Sequence, residues 1–139
     1  MKAIGLMMGV MLLCFGCASS QNKPLKHASD VDKKGTTVFE NGSVKISNPE
    51  VEYEVVIFDN QFERWFVTNA RPRGYYSKTF LETKNRLWVN NFNSKSRTGT
   101  SGFDYTIDYQ PSIDYGYEVN YMLYNYLLYF QQVNNLKLD

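Results

Sequence analysis

The chain has 139 residues and a formal net charge of +1, with 15 Lys and Arg against 14 Asp and Glu. A nucleic-acid-binding domain carries a basic excess gathered into a patch, so this balance argues against nucleic acid as a partner. Hydrophobic residues make up 43% of the sequence and aromatic residues 16%, which excludes a wholly disordered chain and predicts a core rich in rings.

Residues 1–16 are typical of a secretory signal peptide. Met1-Lys2 gives a positive start, and Ala3 to Phe15 is almost wholly apolar yet shorter than the roughly 20 residues that span a bilayer. Gly16-Cys17 closes this run and resembles the lipobox cut by lipoprotein signal peptidase, although Cys14 stands where that box usually has Leu. In that pattern Cys17 becomes the first residue and carries a diacylglycerol thioether and an acylated amine. We therefore expect a membrane anchor at Cys17.

The plainer alternatives for this segment are an ordinary cleaved signal peptide with an incidental Cys, and a short anchor that is left uncut. Both cysteines, Cys14 and Cys17, lie in the leader region, so the domain has no thiol to pair and its stability must come from packing. Residues 17–35 are polar and charged and show no hydrophobic period. We expect them to form a flexible tether, and residues 36–139 to form a single domain.

The domain begins with a predicted β-hairpin. Asn41-Gly42 stands between two β-rich runs, Thr36–Glu40 and Ser43–Ile46. Asn-Gly is the strongest short hairpin signal, because both turn residues need positive φ. The resulting register places Phe39 opposite Val44 and Thr37 opposite Ile46.

A third strand and a first helix are predicted next. Polar and apolar residues alternate from Val51 to Phe58, which indicates a strand with one apolar face. Asp59 or Asn60 can cap the helix that follows, and Glu63 completes a capping box with Asn60. This helix ends by Arg71-Pro72, because the residue before proline avoids the α-helical region.

A second helix begins at Ser77 or Thr79, and Thr79 with Glu82 makes another capping box. Trp88-Val89 leaves two alternatives open, since these residues suit either the same helix or a new strand. Ser94 to Gly102 is rich in Ser, Thr and Gly, which predicts a loop.

The last helix is predicted from Tyr115 to Val133, with Asp114 as its cap. Its apolar side chains fill one broad arc, and a polar stripe that includes Glu118 and Asn125 leaves a narrow wet edge. Such polar interruptions argue against a membrane span. The expected fold class is α+β: a small antiparallel sheet, made of the N-terminal hairpin plus one strand, packed on about three helices, the last long and largely buried.

Four segments have an unusual composition, and they are Phe62 to Trp65, Arg71 to Ser77, Tyr105 to Tyr109 and, above all, Ile113 to Tyr121. Through them the chain from Tyr53 to Leu136 resembles an uncharacterised family of small lipoproteins from Bacteroidota, a domain of unknown function. The resemblance implies a location in the cell envelope and supplies no activity. In lipoproteins of that group, acidic residues soon after the Cys tend to route the protein to the cell surface. Residues 18–22 contain none, which favours a periplasm-facing position.

Several chemistries are excluded by composition. His27 is the only histidine, and it lies in the predicted tether. With neither Cys nor His, the predicted domain can form no zinc site with nitrogen or sulfur ligands. It can form no Ser–His or Cys–His nucleophile pair either. We expect no cofactor and no metal.

Carboxylates remain as candidates for chemistry. Asp104, Asp108, Asp114 and Glu118 lie close together in the sequence among tyrosines. Two of them could form the acid–base pair of an enzyme acting on envelope glycans, or several could hold Ca²⁺, although their spacing matches no familiar calcium loop. The structural alternative gives Asp114 a capping role and lets Glu118 bond to a neighbouring Tyr or Arg.

Arginines offer a further candidate site. Arg71 and Arg73 lie on a short loop before a helix start, which suits an anion. Pairing with the equally numerous acids and stacking on rings is the structural alternative. The Tyr-rich last helix offers either a partner surface or core packing.

The sequence favours a lipid-anchored, periplasm-facing envelope protein whose domain is a non-catalytic binding or scaffold module. Its expected partners are the membrane, through Cys17, and an envelope protein or glycan, with no nucleic acid. The alternative is a glycan-acting hydrolase that uses a carboxylate pair. The candidate binding residues are Arg71, Arg73, Asp108, Asp114 and Glu118.

Overall fold

The computed structural model describes residues 35–40 and 42–139. The predicted signal peptide, the lipidation site and residues 17–34 of the predicted tether lie outside these described residues. The described elements are three strands followed by three helices: β1 (Thr36–Glu40), β2 (Ser43–Asn48), β3 (Tyr53–Ile57), α1 (Asn60–Asn69), α2 (Lys78–Arg97) and α3 (Gly116–Val133). The strands form one antiparallel sheet, so the prediction of an α+β fold is confirmed. In the described part of the chain, no helix is long and apolar enough to cross a membrane.

β1 and β2 form the predicted hairpin. Gly42 has a φ of +79°, a left-handed conformation that glycine adopts without the steric cost of a Cβ. The two strands pair antiparallel in the predicted register, with Phe39 opposite Val44 and Thr37 opposite Ile46. The hairpin prediction is therefore confirmed residue by residue.

β3 pairs antiparallel with β2, so the strand order is β1-β2-β3 and β3 is an edge strand. The predicted start of this strand at Val51 is wrong. Pro49–Val51 form a short 3₁₀ helix, and Glu52 takes a left-handed φ of +51° before the strand begins. From Tyr53 onward the predicted alternation holds, because Tyr53, Val55 and Ile57 pack against the core.

The first two helices begin at caps that the sequence offered as alternatives. Asp59 caps α1, since its Oδ1 accepts hydrogen bonds from the backbone N–H groups of Gln61 and Phe62 at 2.8 and 3.2 Å. Ser77 caps α2 by accepting from the N–H of Phe80 at 3.2 Å. The capping boxes predicted from Asn60 and Thr79 are therefore wrong, because each cap falls one or two residues earlier.

α2 is longer than predicted. It continues through Trp88-Val89 to Arg97, so the strand alternative is wrong and the predicted loop begins only at Thr98. Its buried apolar residues are Leu81, Trp88, Val89 and Phe92. Their spacing keeps them on one helical face, and that face packs on α3.

α3 is the centre of the fold, in contact with α1, α2 and the first two strands, and most of its 18 residues are buried. The predicted cap is displaced: Tyr115 occupies the cap position, while Asp114 Oδ1 accepts from the N–H of Gly116 at 3.0 Å. The predicted polar stripe is also wrong, because Glu118 and Asn125 are only 8% and 2% exposed. Asn125 is satisfied by donating to the carbonyl of Tyr121 at 2.7 Å.

The C-terminal residues after α3 fold back onto α2. Leu138 is fully buried, and its N–H donates to Gln131 Oε1 at 2.8 Å. Asn91 Nδ2 donates to the Leu138 carbonyl at 2.7 Å, and Trp88 Nε1 donates to Asp139 Oδ1 at 2.8 Å. These bonds make the tail part of the packed domain.

Candidate functional site

A groove of about 660 Å³ lies between β3 and the segment Tyr105–Asp108, and we call it the edge groove. Side chains from β2 and α3 contribute to its lining, namely Ile46, Val119, Leu123 and Tyr126. Ile46, Val119 and Leu123 belong to the buried core, so the groove has an apolar floor fixed by packing.

The first wall of the edge groove is the outer edge of β3. Among the described residues, no backbone hydrogen bond joins β3 to any segment except β2. An edge strand of this kind presents N–H and C=O groups that are free to pair with another chain. Two large apolar residues of this wall face solvent, because Val56 is 38% and Phe58 85% exposed.

The second wall is the segment Tyr105–Asp108, which is held to α2 by the Asn93 amide. Asn93 Oδ1 accepts from the N–H of Ile107 at 2.7 Å, and its Nδ2 donates to the Ile107 carbonyl at 2.8 Å. The chain has no turn or bend from Thr106 to Gln110. In extended chain, backbone groups of successive residues point to opposite sides.

Because the backbone groups of Ile107 point to α2, an extended chain here would turn those of Thr106 and Asp108 to the opposite side, toward β3. One observed contact agrees with this orientation. The hydroxyl of Tyr53, on β3, donates to the Asp108 carbonyl at 3.1 Å. This bond also joins the two walls at one end of the edge groove.

A cluster of tyrosines lies at the other end. The hydroxyls of Tyr105 and Tyr126 are 2.5 Å apart, and Tyr129 donates to Asp59 Oδ2 at 2.8 Å. Burial raises the pKa of Tyr105 and, more strongly, that of Tyr126. Burial, helped by the hydrogen bond to Asp59, also raises the pKa of Tyr129 to about 12. These phenols therefore stay protonated and neutral at physiological pH.

The charged residues that line the edge groove are all acidic: Glu52, Glu54, Asp59 and Asp108. Glu54 is paired with Lys45 at 2.9 Å, and Asp59 is engaged as the α1 cap. Glu52 and Asp108 are exposed and make no salt bridge with any described residue. The edge groove therefore combines an apolar floor with an acidic rim, formed by the exposed side chains of Glu52 and Asp108.

Arg73 and Glu118, both candidates from the sequence, lie together away from this groove. Arg73 Nε and Nη2 donate to the two Glu118 carboxylate oxygens at 2.7 and 2.6 Å, and Thr37 Oγ1 donates to Oε1 at 2.6 Å. The hydrogen bond to Glu118 raises the pKa of Arg73. The Arg73 guanidinium also lies 4.9 Å from the centroid of the Tyr121 ring. This cluster ties the α1–α2 loop to α3 and β1.

The other candidates are dispersed. Asp114 Oδ1 lies 2.6 Å from Lys78 Nζ, and both line a polar depression of about 510 Å³ at the start of α2. The Arg71 guanidinium lies 5.4 Å from the centroid of the Tyr75 ring. Of the five candidates, only Asp108 lines the edge groove. Over residues 35–40 and 42–139, no three His, Cys, Asp or Glu side chains form a group that could hold a metal ion.

Sequence reasoning did not find the edge groove. Its walls come from segments about 50 residues apart in the sequence, and no local pattern predicts that these segments lie side by side. The available signals were Phe58, an apolar residue beyond the end of an alternating strand, and the unusual Tyr105 to Tyr109 segment.

Fold and site together define a small α+β domain with an open groove at the edge of its sheet. Residues 5–139 match the Family of unknown function (DUF6146), and the chain belongs to that family. The matched range includes Cys17 and every residue of the edge groove. Neither a curated protein nor a solved structure matches the chain.

Proposed function

We propose that this protein is a lipid-anchored, periplasm-facing protein of the cell envelope, and that its domain binds a partner without catalysing a reaction. The anchor is a lipid on Cys17. It is supported by a positive start, a short apolar run and Gly16-Cys17, all of which resemble a lipoprotein leader. Two or more acyl chains on one residue hold a protein firmly at a membrane, whereas one chain binds marginally.

The edge groove is the observation that carries the binding function. It combines an unpaired strand edge, a rigid apolar floor and exposed apolar side chains at Val56 and Phe58. Exposed apolar surface beside a free strand edge costs solubility and invites aggregation, so its presence suits a surface that a partner covers.

The positions of the acidic candidates support binding over catalysis. Both carboxylate oxygens of Glu118 accept hydrogen bonds from Arg73, and one of them also from Thr37. Asp114 bonds to a backbone N–H and lies against Lys78. A glycan-acting hydrolase needs two carboxyl groups that flank a bond in one cleft. Of the four acids considered for that role from the sequence, only Asp108 lines the edge groove, so the predicted pair does not come together there.

The anchor is tested by growing cells that produce the protein with a radiolabelled fatty acid. The protein should take up label, and a Cys17→Ala variant should not. A Cys14→Ala variant is the matched control and should label normally. Label that survives Cys17→Ala would contradict the anchor.

The binding surface is tested by site-specific photocrosslinking in intact cells. A photoreactive amino acid at Thr106, in the groove wall, should give a discrete adduct. The same residue at Asn90, exposed on α2, is the control and should give none. Absence of a groove-specific adduct at Thr106 and at Val56 would contradict a partner at this surface.

A further inference from the structure

We infer that the partner in the edge groove is an extended, basic polypeptide segment, which adds to the sheet as a fourth strand beside β3. This inference rests on the proposed binding function and names the class of its ligand. Three independent features carry it: the two facing backbone edges, the apolar floor and the sign of the charge.

The backbone edges come first. β3 is an edge strand of five residues, a usual strand length, and its outer side has no described backbone partner. Across the groove, Asn93 bonds both backbone groups of Ile107, and the Asp108 carbonyl faces β3, where it accepts from the Tyr53 hydroxyl. A strand that enters between them can form backbone hydrogen bonds on both of its sides. Recognition by strand addition obtains its affinity from such main-chain bonds.

The floor sets a preference for side chains. Successive side chains of an added strand point alternately toward the helices and toward solvent. The inward set meets Ile46, Val119 and Leu123, which are apolar and buried. The outward set lies beside Val56 and Phe58, which leave apolar surface exposed. Alternate β-branched or aromatic residues therefore suit the ligand.

The charge determines the remaining positions. Glu52 and Asp108 flank Tyr53 at one end of the groove, and both are exposed without a cationic partner among the described residues. Within residues 35–40 and 42–139, no Lys or Arg lines the groove. Opposite charges across an interface guide association and exclude wrong partners, so Lys or Arg is expected in the ligand.

The same charge argues against a second copy of this chain as the occupant. Pairing β3 with β3 of another copy would bring Glu52 and Glu54 of both copies to one interface. Like charges placed opposite each other on paired strands are destabilising. A separate basic segment meets no such repulsion.

The test measures the binding of synthetic peptides to the protein, purified with detergent, by fluorescence anisotropy. The probe is a labelled peptide of alternating Val and Lys. Its two matched controls alternate Val and Glu, or carry N-methyl groups on alternate backbone amides of the Val–Lys peptide. The Val–Lys peptide should bind, and both controls should bind at least about tenfold more weakly, because one loses the charge and the other the main-chain bonds.

Protein variants locate the site. Glu52→Lys with Asp108→Lys should weaken binding of the Val–Lys peptide about tenfold and reduce its dependence on salt. Glu40→Lys, on the exposed side of β1, makes one such charge reversal at a distance and should leave binding within about twofold. Urea unfolding of each variant verifies that the fold is retained.

Some results would overturn the inference. The N-methylated peptide binding as tightly as its parent would exclude strand addition. If the Glu52→Lys, Asp108→Lys double variant binds the Val–Lys peptide as tightly as the unchanged protein, the acidic side chains do not select the ligand. Two results would point to another occupant. One is a dimer, seen in sedimentation, that Glu52→Lys strengthens. The other is an envelope glycan that prevents the Thr106 crosslink when the Val–Lys peptide does not. In the last case the proposed binding function stands and the peptide inference fails, whereas absence of a groove-specific adduct at both Thr106 and Val56 refutes both.

Discussion

Replacing Glu118 by Gln, Arg73 by Met, and both together measures how strongly the buried ion pair holds the α1–α2 loop to the core. Glu118 receives two hydrogen bonds from Arg73 and one from Thr37, all between 2.6 and 2.7 Å. Glu118→Gln keeps the shape and removes the charge. Arg73→Met keeps most of the apolar stem and removes the guanidinium together with its contact on the Tyr121 ring, so the coupling between the two changes measures the pair itself.

The expected magnitude follows from burial. Breaking a fully buried pair by removing one partner costs about 3–5 kcal/mol, because the other charge is left without compensation. The Glu118 side chain is 10% exposed, but that of Arg73 is 42% exposed, so water screens the cation and the cost is smaller. We expect each single variant to lose about 2 kcal/mol of unfolding free energy, and the double variant to show a coupling of about 1.5 kcal/mol.

The assay is urea unfolding followed by tryptophan fluorescence and circular dichroism, analysed as a double-mutant cycle. The matched control is Lys45 with Glu54, which lie 2.9 Å apart but have both side chains about half exposed. Its coupling should stay below about 0.5 kcal/mol. If the Arg73–Glu118 coupling is no larger than that of the control, burial does not strengthen this pair and the reasoning is refuted.

The remaining predictions concern the tail, a close approach and a phenol. Leu138→Ala should cost about 2–4 kcal/mol in urea unfolding, because Leu138 is fully buried and its N–H bonds to Gln131; a cost below about 1 kcal/mol would show that the tail does not pack. Gly35→Ala should cost about 1–2 kcal/mol, since a Cβ there would lie 2.9 Å from Glu118 Cβ, and an unchanged unfolding midpoint would contradict that contact. Burial raises the pKa of Tyr109 to about 12, whereas a tyrosine in the unfolded chain has a pKa near 10. The unfolded chain therefore loses this proton first, and the free energy of unfolding should fall as pH rises from about 10 to 12. Urea unfolding over that range measures the fall, and Tyr109→Phe should make it shallower; an equal slope would contradict the account.

Local sequence patterns predicted the elements where one interaction dominates. The Asn41-Gly42 pair predicted the hairpin and its register, since a two-residue turn between Glu40 and Ser43 places Phe39 opposite Val44. Pro72 predicted the end of α1. Local pattern left alternatives open where several residues competed for one role. It offered Asp59 or Asn60 as the cap of α1 and Ser77 or Thr79 as the start of α2, and the structure has the caps at Asp59 and Ser77.

Features built from distant segments were not predictable from local pattern. The two hydrogen bonds between Asn93 and Ile107 hold an irregular segment in place as a groove wall, and no local pattern relates these two residues to each other. The burial of Glu118 depends on Arg73 reaching it across 45 positions, whereas helical projection alone placed Glu118 on a wet edge. Long-range contacts of this kind determine which polar residue is buried.

The lipid anchor is tested most directly by mass spectrometry of the N-terminal peptide of the protein isolated from membranes. We expect a peptide that begins at Cys17 and carries a diacylglycerol and an amide-linked acyl chain. An N-terminal peptide that retains Met1, or an unmodified Cys17 in the mature protein, would contradict it.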